Sequence, residues 1–339
     1  MNDTKKPAST PKPNPSAFLA DLEARGLVYQ TTPGLAEHLA TPRTLYCGFD
    51  PSADSLHIGS LVPLLTLRRF QEAGHKPLVL LGGATGMIGD PSFKASERKL
   101  LDEATLAHNV AGIAKHVQQI FTQVPEVVNN YEWTKGVDVL SFLRDIGKHF
   151  SINQMISRDS VKSRLSREGE GLSFTEFSYA LLQGFDFYEL SKSHHCTLQI
   201  GGSDQWGNMT AGTELIRKKL QREAHVLTLP LVTKADGTKF GKTESGTIWL
   251  DPNKTSPYAF YQFWLNTADA DVEKFLGYFS FRPLIEIKNI VETHKQNMSL
   301  RMAQVILARE LTTLLHGEAA TAAAEAISKA VFDGALDKL

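Results

Sequence analysis

Thr44-Leu-Tyr-Cys-Gly-Phe-Asp50 and Pro77-Leu-Val-Leu-Leu81, with a helical stretch between them, decide the fold of this chain. In the first run the apolar residues Leu45, Cys47 and Phe49 alternate, the period of a strand. Residues 60–73 then put Leu61, Leu64 and Leu65 on one side of a helix that Gly74 should stop. The second run is apolar throughout, as expected of a parallel strand covered on both faces. Strand, helix and strand with short joints make a βαβ unit, whose crossover should be right-handed.

The pattern recurs downstream. Thr197–Gly202 (TLQIGG) reads as a strand, Trp206–Leu220 as a helix and Val226–Thr233 (VLTLPLVT) as another strand. Two such halves predict a doubly wound α/β domain over residues 17–233, with ligands at the carboxyl ends of its parallel strands. A largely helical insertion, about 125–195, separates the halves; Val137–Phe150 and Phe174–Leu190 are its clearest helices. Ser16 should cap the first helix, which Gly26 ends, and residues 1–16, with four prolines among polar residues, read as a disordered tail. Residues 234–255 form a polar, glycine-punctuated loop and linker expected to be mobile. From Ser256-Pro257, in the preferred order for a helix start, the chain reads as a small all-α domain to Leu339.

The 339 residues, 42% hydrophobic, suffice for a large core. Basic and acidic residues number 36 and 37, so any contact with a polyanion must come from local patches such as Arg158–Arg167 and Arg217–Arg222. Two unrelated cysteines, Cys47 and Cys196, support neither a disulfide framework nor a zinc site and suit a reducing cytoplasm. No apolar run is of membrane-spanning length, and no apolar segment follows the N-terminal lysines as in a secretory signal.

Five places carry possible chemistry. After the first strand comes Asp50-Pro-Ser52-Ala-Asp-Ser-Leu-His57-Ile-Gly59-Ser60, where helix N–H groups and a histidine donor could meet phosphate, unless His57 merely caps the helix. Gly82-Gly83-Ala-Thr-Gly86-Met-Ile-Gly89-Asp90 follows the second strand, and Asp90 could hold an ammonium group. Lys94 and Arg98 lie four apart and could pair on phosphate or simply face solvent. Lys239-Phe-Gly-Lys242-Thr243 is near a P-loop but fails its spacing; two lysines on a glycine loop could still neutralise developing charge. Tyr179, Gln183 and Asp186 share one face of an otherwise apolar helix, fitting either a small polar ligand or a buried structural network. Gly202-Ser-Asp204-Gln205 stands at a strand-to-helix turn, where such a carboxylate commonly takes a ribose, or only caps the helix. All five converge on one edge of one sheet, and together they call for ribose, triphosphate and an amino acid.

HIGS resembles the HIGH signature of class I aminoacyl-tRNA synthetases, and KFGKT resembles their KMSKS loop. YCGFDPSADSLHIG, GGATGMIGDPS, FSYALLQGFD, IGGSDQWGN and TKADGTKFGKTESG are similar to bacterial tyrosyl-tRNA synthetases, a resemblance running from about Phe18 to the end. It implies a Rossmann-like catalytic domain of the HUP type and a homodimer joined through the insertion. Its implied substrates are tyrosine, ATP with Mg2+, and tRNA(Tyr). By the resemblance, Tyr46 and Asp186 meet the phenol, while Asp90, Tyr179 and Gln183 hold the ammonium. Cys47, Gly48, Asp50, Gly202, Asp204 and Gln205 line the adenylate, with Asp204 on the ribose and Gln205 near the reacting carboxyl. Ser52, His57, Gly59, Ser60, Lys94, Arg98, Lys239, Lys242 and Thr243 surround the phosphates.

Two departures stand out: Ser60 replaces the second histidine of HIGH, and the chain stops before the small C-terminal RNA-binding module usual in the family, as a truncated form would. The alternatives are a tryptophanyl enzyme, which the Tyr46–Asp186 pair disfavours because indole has one donor, or an inactive RNA-binding relative, which the intact motifs disfavour.

Overall fold

The computed structural model describes residues 15–92, 101–158, 161, 162, 165, 171–238, 240–243 and 246–332, and the tail expected at the N-terminus lies almost wholly outside them. Strands β1 (Gln30–Thr31), β2 (Thr44–Phe49), β3 (Lys76–Leu81), β4 (Glu126–Asn129), β5 (Cys196–Gly202) and β6 (His225–Leu229) form one sheet in the order β1-β6-β5-β2-β3-β4. All neighbours are parallel except the short edge pair β1–β6. Successive strands run outward from β2 to β3 and β4 on one side, and from β5 to β6 on the other. The order reverses between β2 and β5, which opens a crevice at their carboxyl ends.

Strand alternation assigns each residue of β2 and β3 to a layer. Leu45, Cys47, Phe49, Val79 and Leu81 join a core with the helices Leu61–Glu72 and Glu103–Ile120. Tyr46, Leu78 and Leu80 face the opposite layer, where Phe187, Leu190 and Ile216 come from the helices Phe174–His194 and Trp206–Leu220. That is why PLVLL is apolar at every position. The first core continues without a break into the C-terminal helices through Phe260, Trp264, Phe279, Leu307 and Ala324.

Several boundaries differ from the sequence reading. The first helix already includes Pro15, so Ser16 lies inside it and not at its cap. The helix expected over Val137–Phe150 runs only Val139–Asp145, capped by Asp138 and followed by a 3-10 turn at Gly147–His149. β6 ends at Leu229 because Pro230 has no N–H to continue a ladder. The helix at Pro257–Leu265 starts as expected, with Ser256 Oγ accepting from Ala259 N at 3.2 Å. The last helix, Met302–Phe332, turns a corner at Gly317 (φ 82°, ψ 168°), and Arg309 pairs with Glu325 across it.

Candidate active site

The carboxyl ends of β2, β3 and β4 deliver Asp50, Thr85 and Asn130 to one buried place. Asn130 follows β4 and is fully buried; its Oδ1 accepts from Ala84 N at 2.7 Å. Its Nδ2 donates to Thr85 Oγ1 and to Asp186 Oδ2, both at 2.9 Å. Trp133 Nε1 donates to the other Asp186 oxygen at 2.9 Å. Thr85 Oγ1 in turn donates to Asp50 Oδ1 at 2.7 Å, and Tyr179 Oη donates to Asp50 Oδ2 at 2.8 Å. One network thus joins the long polar-striped helix to the ends of three strands. Gly82 is required by its closeness, since a Cβ there would lie 2.1 Å from Asp50 Oδ1.

The electrostatics follow from the burial. Desolvation raises the Asp186 carboxyl to about 7, against the lowering effect of the Asn130 and Trp133 bonds. Burial also holds the Tyr46 and Tyr179 phenols well above their ordinary range, with Asp186 and Asp50 respectively adding to it. Tyr46 Oη and Gln183 Oε1 are buried polar atoms with no hydrogen-bond partner among the described residues. Buried polar groups are normally paired, so both suit groups a ligand would bring. Tyr179 spends its O–H in the hydrogen bond to Asp50, which leaves its oxygen as an acceptor for a ligand.

A second cluster sits after β5. Gln205 Nε2 donates to Asp90 Oδ2 at 2.8 Å and to Asp204 Oδ2 at 3.0 Å, while Ser92 N donates to Asp90 Oδ1 at 3.0 Å. The HIGS turn follows β2. His57 is exposed and its Nδ1 accepts from Gly59 N at 3.1 Å. In the neutral ring that bond leaves the proton on Nε2, so the capping role and a donor role coexist. The lysine loop packs on this turn: Gly241, at φ 80°, approaches so closely that a Cβ would lie 2.5 Å from Ile58 Cγ2. Phe240 anchors the loop among Phe263, Trp264, Phe275 and Phe279. Lys242–Thr243 and Gly246–Thr247 then form a two-stranded hairpin, β7–β8, where a P-loop would begin a helix.

The chain matches the tRNA synthetases class I (W and Y) over residues 39–333. The chain belongs to that family. It is 60% identical over 330 residues to the tyrosine–tRNA ligase of Aliivibrio fischeri strain MJ11, covering 95% of this chain and 78% of that protein. The tyrosine–tRNA ligase of Dechloromonas aromatica is 57% identical over 331 residues, again covering 78% of its length. A C-terminally truncated Aspergillus nidulans mitochondrial tyrosyl-tRNA synthetase superposes with a TM-score of 0.82 at 31% identity, covering 93% of this chain and 94% of that one. The Plasmodium falciparum tryptophanyl-tRNA synthetase shares the fold, with a TM-score of 0.65 at 16% identity over 89% of this chain and 84% of that one.

Within this class I synthetase fold, the expected site residues separate into four groups. Tyr46, Asp186, Gln183 and Tyr179 converge with Asp50, and Asp90, Gly202, Asp204 and Gln205 converge after β5. Gly48, Ser52 and His57 are exposed, and Gly59 and Ser60 half-buried, along the β2 edge and its turn. Lys94, Arg98 and Lys239 lie outside the described residues, as do the side chains of Lys242 and Thr243.

Two of the expected nucleotide contacts have side chains placed or engaged elsewhere in the protein. Cys47 faces the opposite layer from Tyr46 and Gly48 by strand alternation; its thiol is buried in the core and pushed up to about 12 by desolvation. Asp50, expected among the nucleotide contacts, spends its carboxylate on Tyr179 and Thr85. Sequence reading missed Thr85, Asn130 and Trp133. β4, which delivers Asn130, is only four residues long and gave no strand signal of its own.

Proposed function

We infer that the chain is an ATP-dependent tyrosine–tRNA ligase. A carboxylate oxygen of tyrosine attacks the α-phosphorus of ATP, the bond to the β-phosphate breaks, and pyrophosphate leaves; a hydroxyl of tRNA(Tyr) then attacks the tyrosyl carbonyl, the acyl–phosphate bond breaks, and AMP leaves. The observation that carries the choice of amino acid is the buried pair at the cleft's end: Asp186, an acceptor fixed by two donors, and Tyr46, a hydroxyl without a partner among the described residues. A phenol both donates and accepts and suits that pair, whereas an indole only donates. Gln183 Oε1, the Tyr179 oxygen and Asp90 would supply acceptors for the substrate ammonium. Gln205 and Asp204 would meet the carboxyl and the ribose.

No side chain needs to act as nucleophile or base, because the substrate brings its own. Catalysis is positioning plus charge stabilisation. His57, Lys94, Arg98, Lys239, Lys242 and Thr243 would stabilise the phosphates as charge moves to the leaving group. Magnesium would arrive on ATP, as part of the substrate. Among the described residues no helix is long and apolar enough to cross a membrane.

The same reading includes a homodimer. Among the described residues, fourteen large apolar side chains are exposed, and seven of them lie between 139 and 174, including Val139, Leu140, Leu143, Ile152, Ile156 and Phe174. Such a concentration on the insertion fits a self-complementary interface. Sedimentation of the purified chain tests this, and a monomer at micromolar concentration would refute it. ATP–pyrophosphate exchange tests the activity: tyrosine should support it and tryptophan should not. Equal exchange with tryptophan would overturn the assignment.

A further inference from the structure

Residues 248–255, which follow the lysine loop, are laced onto the residues that lead into the HIGS turn. Ile58 N donates to Ile248 O at 2.9 Å, Leu250 N to Leu56 O at 2.9 Å, and Asp251 N to Ser55 Oγ at 3.2 Å. His57 and Trp249 face each other as an isolated antiparallel bridge within this ladder. Lys254 adds a charged side chain that touches both sides. Its Nζ lies 2.7 Å from Asp54 Oδ1 on the HIGS side and 5.4 Å from the centroid of the Trp249 ring on its own side. His108 Nε2 approaches the other Asp54 oxygen at 3.9 Å from the helix Glu103–Ile120. The segment's far end is fixed as well. Thr255 Oγ1 accepts from Trp249 N at 2.9 Å, and the next residue, Ser256, caps the helix Pro257–Leu265.

We propose that Lys254 is a positioning residue for adenylate formation: by pinning Asp54 and covering Trp249 it fixes the spacing between His57 and the KFGKT loop. It touches no reacting atom itself. Its reach follows from the backbone links. Trp249 pairs with His57, and Gly241 O accepts from Ile248 N at 3.1 Å, so this segment is the link between the histidine and the loop, and a shift in it alters the spacing between them. Both partners of the Lys254–Asp54 pair are about 35% exposed. An ion pair so exposed adds little to global stability, so its loss should appear in rate and not in unfolding. A displacement of about an ångström at a reacting group can cost up to a hundredfold in rate, so a tenfold effect from a partly released segment is reasonable.

The inference rests on the proposed contact of His57 and the loop lysines with the phosphates. Single-turnover adenylate formation, equilibrium tyrosine binding and thermal unfolding would be measured on wild type and five variants. Lys254→Met, which keeps the stem and removes the charge, and Asp54→Asn should each slow adenylate formation roughly tenfold. Tyrosine affinity and the unfolding midpoint should stay at wild-type values. Lys254→Arg keeps both the charge and the ring contact and should retain most of the rate. The Asp54→Asn/Lys254→Met double variant should be no slower than either single variant, because the two act through one interaction. A wild-type rate in Lys254→Met, or losses that multiply in the double variant, would overturn the positioning role. His57→Ala separates the two levels. If it is slow while Lys254→Met is fast, only this inference fails; if His57→Ala is itself as fast as wild type, the phosphate-site reading fails and takes the inference with it.

Discussion

At the proposed phenol end of the cleft, Asp186, Asn130, Thr85, Asp50 and Tyr179 form one largely buried chain of hydrogen bonds spanning three strand ends and a helix. At the proposed phosphate end, His57 is exposed, the turn is bonded through its backbone to residues 248–250, and Phe240 of the lysine loop packs among Phe263, Trp264, Phe275 and Phe279. The difference matches two physical tasks. Rejecting a wrong amino acid requires groups that become costly when left unpaired, and that penalty exists only where water is excluded. Stabilising a departing pyrophosphate requires charges that engage as the reaction proceeds, and these gain nothing from being locked beforehand to protein partners.

The largest expected effect strikes the buried end. Asp186→Ala strands the Asn130 and Trp133 donors and the substrate phenol. At about 1–3 kcal/mol per unpaired buried group, tyrosine-dependent exchange should fall on the order of 10³-fold. Preference for tyrosine over phenylalanine should shrink with it; an unchanged preference would remove Asp186 from the specificity site. At the other end, Lys242→Ala and Lys239→Ala should each slow adenylate formation roughly a hundredfold while tyrosine affinity barely changes. If tyrosine binding weakened and the rate stayed normal, the division of labour between the two ends would be wrong.

A smaller effect distinguishes a fixed acceptor from a merely nearby one. Asn130→Ala leaves Asp186 with one of its two donors, so tyrosine affinity should drop roughly tenfold, as expected for loss of a hydrogen bond to a charged group. The adenylation rate of bound tyrosine should be preserved, and equilibrium binding beside single-turnover kinetics would show whether it is.

The smallest expected effect is in pH. Asp186 titrates near 7 in the folded protein, above its ordinary value of 3.8. The ionised form accepts the phenol proton best, so tyrosine should bind several-fold more tightly at pH 8 than at pH 6. An Asp186→Asn variant should show a flat profile over that range. Stability should run the other way. A carboxyl whose folded pKa is raised contributes its stability fully below the unfolded value, and that contribution is lost as pH rises through about 7. The unfolding midpoint of wild type should therefore decline relative to Asp186→Asn between pH 4 and 7. A constant gap would mean that Asp186 is not protonated in this way.

Much of this was legible in the linear chain because the relevant signals are local. The period-2 run at Leu45, Cys47 and Phe49, the apolar PLVLL and the capped helix at Ser256-Pro257 each encode an element through near neighbours, and each formed as read. Spacing of i, i+4 and i+7 likewise placed Tyr179, Gln183 and Asp186 on one face of a helix that extends to His194. Local signals failed where context decided. Pro230 cut β6 short, and the two-residue β1 exists only because β6 offers it an edge.

The sequence by itself determined the elements, their parallel arrangement and the residue types that gather at the crevice, because hydrophobic period and turn chemistry act over a few residues. Only the tertiary structure decided what those residues do to one another. Asn130 and Asp186 are 56 positions apart and Tyr179 and Asp50 are 129 apart. No local pattern marks such pairs, since their bonds exist only after four separate elements have closed around a space that excludes water. The same closure turned Cys47 into the core and committed Asp50 to Tyr179 and Thr85. It also raised Asp186 to about 7, a consequence of burial that no neighbouring residue in the chain foretells.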